Sequence, residues 1–185
     1  DDVRFLDVVE RKAFDYFLRE HHPRTGLVKD KASNSGTDAN VIASIAATGF
    51  GLAAVCVGAE RGWISRDDAR AYCLKTLRTF RDRMEPVQGF FYHFVHWETG
   101  KRTKDTELSS IDTALFLAGS LTAARYFEGS EVETLAEELY ARVDFRWMLA
   151  GDETLAMGWH PDGGFRRVGK KSKLARRLRR DPVEH

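Results

Sequence analysis

The sequence predicts an all-α fold in which buried helices alternate with amphipathic ones. Two segments, residues 38–61 and 106–127, are apolar on nearly every side, whereas three others carry apolar residues on one face at helical spacing. The two kinds follow each other in turn along the chain. Because a helix that is apolar all round must be covered on all sides, we expect a double layer in which outer helices enclose two inner ones.

The three amphipathic helices are predicted at residues 2–20, 65–84 and 130–148. In the second of these, Ser65 precedes Asp68 by three residues, which is close to a capping box. The third is acidic in its first turns, as a helix N-terminus favours. Asp38 is the predicted N-cap of the first inner helix. Cys56 and Cys73 fall in different helices and are predicted to be small buried apolar residues rather than a disulfide.

A segment dense in aromatic residues, at positions 89–102, is predicted to form a hairpin around a turn at 98–100. Aromatic faces with polar edges suit a sugar, because its C–H face is apolar and its rim carries hydroxyls. The residues with this character are Tyr92, His93, His96 and Trp97. The alternative is an ordinary amphipathic strand, whose alternation explains the spacing of the phenylalanines equally well.

Carboxylates gather where the second inner helix is predicted to begin. Asp105 and Glu107 have the positions of ordinary N-terminal carboxylates. Asp112 is predicted to lie nearly two turns inside an otherwise apolar helix, where an unpaired charge is costly. We expect Asp105, Ser109 and Asp112 to share one stripe that faces a polar cavity. A purely structural salt bridge is the alternative.

Two further segments give less specific signals. A second hairpin is predicted at residues 154–165, where Trp159 and His160 would line the same rim. The loop at 33–38 offers hydroxyls and the Asp38 carboxylate to a ligand, although a capping loop has the same composition. The sequence contains no fingerprint of a nucleotide, metal or nucleophilic-serine site, so neither a cofactor nor a metal is predicted.

The net charge of +1 averages two unlike pieces of the 185-residue chain. Residues 166–185 contain nine Lys/Arg against two acidic residues, which leaves 20 basic and 26 acidic residues in 1–165, a net of −6. An acidic body argues against nucleic-acid binding across the domain. No apolar run approaches the ~20 residues of a membrane span, so no membrane partner is predicted. The opening residues DDVRF do not predict a signal peptide.

Six segments, taken together and in order from Phe5 to Phe165, resemble the glucoamylase-like family of bacteria. They are FLDVVERKAFDYF, TGLVKDKA, ASIAATGFGLAA, GFFYHFVHWETGKR, ELSSIDTALFLAG and MGWHPDGGF. That family is similar to the corresponding domain of cyclic β-1,2-glucan synthases and to endo-β-1,2-glucanases.

The resemblance implies an (α/α)6 barrel with a carbohydrate cleft at one rim. It implies hydrolysis or transglycosylation of a β-glucan, with β-1,2-glucan favoured, and therefore an oligo- or polysaccharide partner. The family's aromatic motif falls on 92–97 and its acidic motif on Glu107, Ser109 and Asp112. Asp112, and after it Glu107, would be catalytic carboxylates. The family's association with envelope glucans implies a periplasmic or secreted protein.

Two departures from the family predict that residues 1–165 are only the N-terminal part of such a domain. Five helices are predicted where the family barrel has twelve, and after Phe165 the sequence turns basic and aperiodic, which a frameshift explains better than a natural extension. We expect 166–185 to be disordered or loosely packed, turnover by this chain to be absent, and uncovered apolar helices to self-associate. The alternatives are a non-catalytic carbohydrate-binding or interaction remnant, and a basic tail that binds polyanions.

Overall fold

The structure, a computed structural model, describes residues 2–36, 39–103 and 105–166. Its helices are α1 (Asp2–Arg19), α2 (Ile45–Glu60), α3 (Arg66–Asp82), α4 (Ser110–Tyr126), α5 (Glu131–Ala141) and α6 (Phe145–Leu149). Its strands are β1 (Ile42–Ser44), β2 (Phe94–His96), β3 (Leu108–Ser109), β4 (Gly158–His160) and β5 (Gly164–Arg166). In the described ranges no helix is both long and apolar enough to cross a membrane.

The two predicted inner helices, α2 and α4, pack against each other almost backbone to backbone. A methyl group on Gly119 of α4 would lie 1.9 Å from the carbonyl oxygen of Gly49 on α2. Beside this contact, the ring of Phe116 stacks on Phe80 of α3 at a centroid distance of 3.6 Å. The glycines therefore permit a close approach that any side chain would prevent, and the aromatic rings close the core around it.

The amphipathic helices cover this inner pair from outside, as predicted. α1 packs on α2 where Phe14 fills the space left by Gly58. α3 lies against α2 and α5, and α5 lies against α4. The predicted cap of α3 is confirmed, because Ser65 Oγ accepts a hydrogen bond of 3.0 Å from the backbone N–H of Asp68. Cys56 and Cys73 are buried free thiols, also as predicted.

Both inner helices begin later than predicted. The first starts at Ile45 and is capped by Ser44 rather than Asp38, because residues 42–44 pair with β2 as a strand. The second starts at Ser110 rather than 106 and is capped by Ser109, because residues 108–109 pair with β4. In each case cross-strand pairing takes residues that periodicity alone assigns to the helix. Asp38 itself lies outside the described residues.

The predicted helix at 130–148 is two helices, α5 and α6. Asp144 separates them: its backbone N–H donates to Gln88 O at 3.0 Å, and its carboxylate caps α6 by accepting from Trp147 N at 3.0 Å. The predicted hairpin at 154–165 is confirmed as β4 and β5, which pair with β3 in one antiparallel sheet. In the aromatic segment, β2 turns back so that Val95 pairs with Arg102, but its longer pairing is with β1.

Several large apolar side chains remain exposed. On α1, Phe5 is 67% and Leu6 is 62% exposed, since only the C-terminal half of this helix packs on α2. On α4, Ile111 is 63% and Leu121 is 36% exposed, and these two residues define what we call the outward side of this helix. The described part of the chain therefore presents apolar surface from an inner as well as an outer helix.

Candidate active site

The N-termini of the two inner helices lie beside the same short strands. The backbone N–H of Ile45, the first residue of α2, donates to His93 O at 3.3 Å. Residues 91–93 run antiparallel to 107–109, because His93 N donates to Glu107 O at 3.0 Å and Ser109 N donates to Phe91 O at 3.2 Å. Polar side chains from both segments are thus brought to the positive ends of two helix dipoles, which favour carboxylates.

Asp112 lies in the first turn of α4, not two turns inside it as predicted. Its backbone N–H donates to Ser109 Oγ at 3.2 Å, and the Ser109 hydroxyl donates to the Asp112 carboxylate in return. This reciprocal cap keeps the carboxylate paired although Asp112 is buried, with its side chain only 12% exposed. The predicted stripe is wrong in one member, because Asp105 precedes the helix and contacts other residues.

The imidazole of His93 lies between two carboxylates. Its Nε2 is 3.4 Å from Asp112 Oδ1, and its Nδ1 is 4.0 Å from Glu107 Oε1. The ring also stacks on Phe94 at a centroid distance of 3.8 Å, which limits its rotation. His93, Glu107, Ser109 and Asp112, four residues singled out from the sequence, therefore form one cluster.

Glu107 is the more accessible carboxylate of this cluster. Its side chain is 26% exposed and pairs with Arg166 Nη1 at 3.2 Å. Arg166 opens the predicted basic tail but is the last residue of β5, and residues 167–185 lie outside the described part. A methyl group on Gly158, which pairs with Ser109 on one side and Arg166 on the other, would lie 2.2 Å from Leu108 O and 3.1 Å from Glu107 Cγ. Gly158 thus leaves room for Glu107 to cross β4 toward its cation.

A second polar cluster surrounds the buried His160. Its Nδ1 accepts from the Asp162 backbone N–H at 3.2 Å, and its Nε2 lies 2.6 Å from Asp105 Oδ1. The Arg102 guanidinium lies 2.7 Å from the same nitrogen and 3.3 Å from Asp105. Ligand atoms of Asp105, His160 and Asp162 lie within 4.8 Å of one another, as at a metal site. Here Arg102 supplies the positive charge that an ion would bring.

The aromatic residues singled out from the sequence have separate surroundings. The Trp97 ring packs on His22 at 5.1 Å, and the ammonium of Lys29 lies 4.6 Å above it. Arg102 lies 4.7 Å above the ring of Tyr92. The contacts described for Trp97 do not include Asp112 or His93, so the structure does not join it to the carboxylate cluster.

His96 and Trp159 also have structural contacts. His96 Nδ1 accepts from the Glu98 backbone N–H at 3.3 Å, which stabilises the turn after β2. The half-buried Trp159 packs on Trp147 at 5.7 Å and pairs with Leu108 across the sheet. Both residues nevertheless lie in the strands and turns that carry the polar clusters.

Sequence reasoning missed three cations of this region. Arg102 and Arg166 pair with Asp105 and Glu107, whereas the buried Lys29 pairs with Glu20 Oε2 at 3.1 Å beneath Trp97. For Lys29 the available signal was weak, since it follows the apolar Leu27 and Val28 but precedes Asp30 and Lys31. For the two arginines the sequence carries no local signal, because their partners are brought close only by strand pairing.

The chain is similar in sequence and fold to several glycan hydrolases. The chain is 26% identical over 169 residues to an exo β-1,2-glucooligosaccharide sophorohydrolase (non-reducing end) of Parabacteroides distasonis, covering 86% of this chain and 23% of that protein. An endo-β-1,2-glucanase structure from Chitinophaga pinensis is 27% identical with a TM-score of 0.78, covering 88% of this chain and 41% of the other. No family model matches the chain.

A structure from Bacteroides uniformis that carries the provisional name glucoamylase is 26% identical, with a TM-score of 0.79 and coverage of 89% of this chain and 41% of the other. The resemblance inferred from the sequence motifs is therefore confirmed: the chain is similar to β-1,2-glucan hydrolases and to glucoamylase-like structures. It spans less than half the length of each of these relatives.

Proposed function

We propose that this chain supplies part of the substrate cleft and part of the acid–base machinery of a glycoside hydrolase or transglycosylase acting on β-glucan, with β-1,2-glucan as substrate. The observation that carries the proposal is the pair of carboxylates, Glu107 and Asp112, on either side of His93 at the N-termini of two inner helices. In this proposal the two helical layers are the N-terminal part of an (α/α)6 barrel, and the cleft opens at the end where α2 and α4 begin.

The surroundings of the two carboxylates suggest different roles. Both oxygens of Asp112 have partners, Ser109 and His93, and the group is buried, so in this proposal it holds His93 in position. Glu107 is partly exposed and would face the glycosidic oxygen or the attacking water. Glycoside hydrolysis needs a second carboxyl group on the opposite side of the bond. We place that group beyond the described residues, and we expect this chain alone to lack turnover.

Substrate contacts are assigned to the aromatic and polar residues near these clusters. Trp159, Tyr92 and His160 lie on the strands beside Glu107 and would contact neighbouring sugar units. Because Lys29 lies above one face of Trp97, a sugar would stack on the other face. We further propose that His96 and Asp38 contribute hydrogen bonds at the rim, and that the protein acts in the periplasm or outside the cell.

The direct test is to titrate the chain with β-1,2-glucooligosaccharides and to measure binding by calorimetry and by tryptophan fluorescence. We expect saturable binding that Glu107→Gln weakens about tenfold, because a hydrogen bond to a charged group is lost. Glu137→Gln, on the exposed side of α5, is the matched control and should leave the affinity unchanged. Equal binding of β-1,3-glucooligosaccharides would contradict the assigned linkage. If neither oligosaccharide binds, the assignment of a substrate cleft to this chain is wrong.

A second candidate is a carbohydrate-binding remnant without turnover. It is favoured by the completeness of the polar clusters, in which Glu107 already pairs with Arg166 and Asp112 with Ser109. A chain that contains the whole barrel distinguishes the two candidate functions, because only the hydrolase would then cleave the glucan. If the chain extended to the full length of its relatives binds β-1,2-glucan but does not cleave it, the remnant is the correct assignment.

A further inference from the structure

A cavity of about 350 Å3 lies away from the residues assigned to the substrate cleft, on the outer surface between the C-terminal end of α1 and the exposed side of α3. Its volume is within the range of small-molecule sites. Its lining combines three apolar side chains, Leu18, Ile64 and Ala71, with four ionisable ones, Tyr72, His21, Asp68 and Lys75. Neither the proposed hydrolase nor the polar clusters at the helix N-termini involve these residues.

The hydrogen bonds of His21 fix its tautomer. Nδ1 lies 2.9 Å from the carbonyl oxygen of Leu18, which can only accept, so Nδ1 carries a proton. Nε2 lies 3.3 Å from Lys75 Nζ. A neutral His21 therefore accepts at Nε2 from the Lys75 ammonium. Burial, followed by the charge of Lys75, lowers the pKa of His21, in agreement with a neutral ring.

Lys75 is consequently a cation without a matching anion. One of its three protons is used on His21, and the ammonium lies 5.6 Å from the ring centroid of Tyr72. Among the described residues no carboxylate lies within ion-pair distance of Lys75 Nζ. The partial burial of Lys75 lowers its pKa, so a neighbouring anion would favour its charged form.

Asp68, the carboxylate that lines the cavity, does not pair with Lys75. Asp68 accepts from the Ser65 hydroxyl at 2.6 Å as part of the cap of α3. It lies seven residues before Lys75 on the same helix, which corresponds to ~10 Å along the axis. The cavity is also lined by Ala71 and Tyr72 of α3 and by Leu18 and Ile64 from outside this helix.

We propose that this cavity binds a small organic anion, a carboxylate carried on an apolar body. The carboxylate accepts hydrogen bonds from the two remaining protons of Lys75, and the apolar body covers Tyr72 and Ala71. The bound anion supplies the counter-charge that no described residue provides to Lys75. A charge-assisted hydrogen bond in a partly buried site is stronger than one in water. The site is independent of glycan binding and its failure would leave the proposed hydrolase untouched.

The test uses the full chain and sodium benzoate, with backbone amide NMR as the readout. Benzoate should give saturable shifts at Ala71, Tyr72 and Lys75, and benzyl alcohol, its neutral counterpart, should bind about tenfold more weakly. Inorganic phosphate distinguishes a bare anion from a carboxylate on an apolar body. Binding of phosphate as tight as that of benzoate, or of benzyl alcohol as tight as benzoate, would overturn the proposal.

Two further measurements separate a specific site from general attraction. Lys75→Met should weaken benzoate binding about tenfold, while Lys12→Met, which removes an exposed ammonium from α1, should not change it. In the unchanged protein, saturating benzoate should raise the pKa of the Lys75 ammonium, because the anion favours the charged form. An unaltered Lys75 pKa at saturation would overturn the proposal even if the methionine variant failed to fold.

Discussion

The N-terminal end of α4 and its outward side differ in how fully the described residues satisfy them. Polar groups at the N-terminal end have hydrogen-bond partners, whereas apolar side chains on the outward side are not covered. At the N-terminal end, Asp112 is capped, buried and bonded to its neighbours. On the outward side of the same helix, Ile111 and Leu121 remain exposed although the helix is apolar all round. Polar groups need only a few well-placed partners, which nearby strands provide, whereas an apolar surface needs a whole neighbouring element to cover it.

The largest expected effect is on the free energy of unfolding, where substitutions on the covered and the uncovered sides of the inner helices should differ. Phe116 is fully buried against Phe80, whereas Phe50 on α2 is 54% exposed. We expect Phe116→Ala to lower the free energy of unfolding by about 3–5 kcal/mol. Phe50→Ala should change it by less than about 0.5 kcal/mol. Urea denaturation followed by circular dichroism measures both, and similar losses in the two variants would contradict the assignment of a covered and an uncovered side.

Within the N-terminal end, the two carboxylates should also differ. Asp112→Ala leaves the buried Ser109 hydroxyl and His93 without their partner, so we expect a loss of about 2 kcal/mol of stability. Glu107→Ala removes a partly exposed ion pair with Arg166 and should cost less than about 1 kcal/mol. The comparison is again made by urea denaturation. A larger loss for Glu107 would show that the roles proposed for the two carboxylates are reversed.

Substitutions on the outward side of α4 should have the smallest effect on stability. They should nevertheless change the self-association of the chain measurably. We predict that the chain self-associates through its exposed apolar helices. Ile111→Ser combined with Leu121→Ser should then shift the sedimentation profile toward monomer while changing stability by less than about 0.5 kcal/mol. Serine replacements at the exposed polar positions Thr122 and Thr134 are the control. A wild-type chain that sediments as a monomer at all concentrations would remove the basis of this prediction.

Helix boundaries show where local sequence signals suffice. The cap of α3 was predictable, because Ser65 and Asp68 interact within one turn and α3 follows a loop. The caps Ser44 and Ser109 are serines too, but they end strands whose partners lie more than 45 residues away. Periodicity extended both helices through these strands, since an apolar residue in a buried strand is indistinguishable from one in a buried helix.

The candidate site divides in the same way. Glu107 and Asp112 were singled out because carboxylates stand out beside an apolar helix, Ser109 because it has helical spacing to Asp112, and His93 because it belongs to an aromatic and polar segment. Their arrangement around His93 could not be inferred, since it depends on pairing between 91–93 and 107–109. The expected stripe with Asp105 was wrong because that residue lies before the helix and bonds to His160.

The sequence by itself determined the layered helices, the identity of the inner pair and most of the polar residues that could do chemistry. These properties follow from the hydrophobic period and from residue type, which are local. Tertiary structure alone decided that Arg166 pairs with Glu107, that Trp97 packs on Lys29 instead of beside Asp112, and that Lys75 faces a cavity in which its hydrogen-bond partner is His21. Those contacts join residues far apart in the chain, and their partners are chosen by packing and strand register, which no single segment encodes.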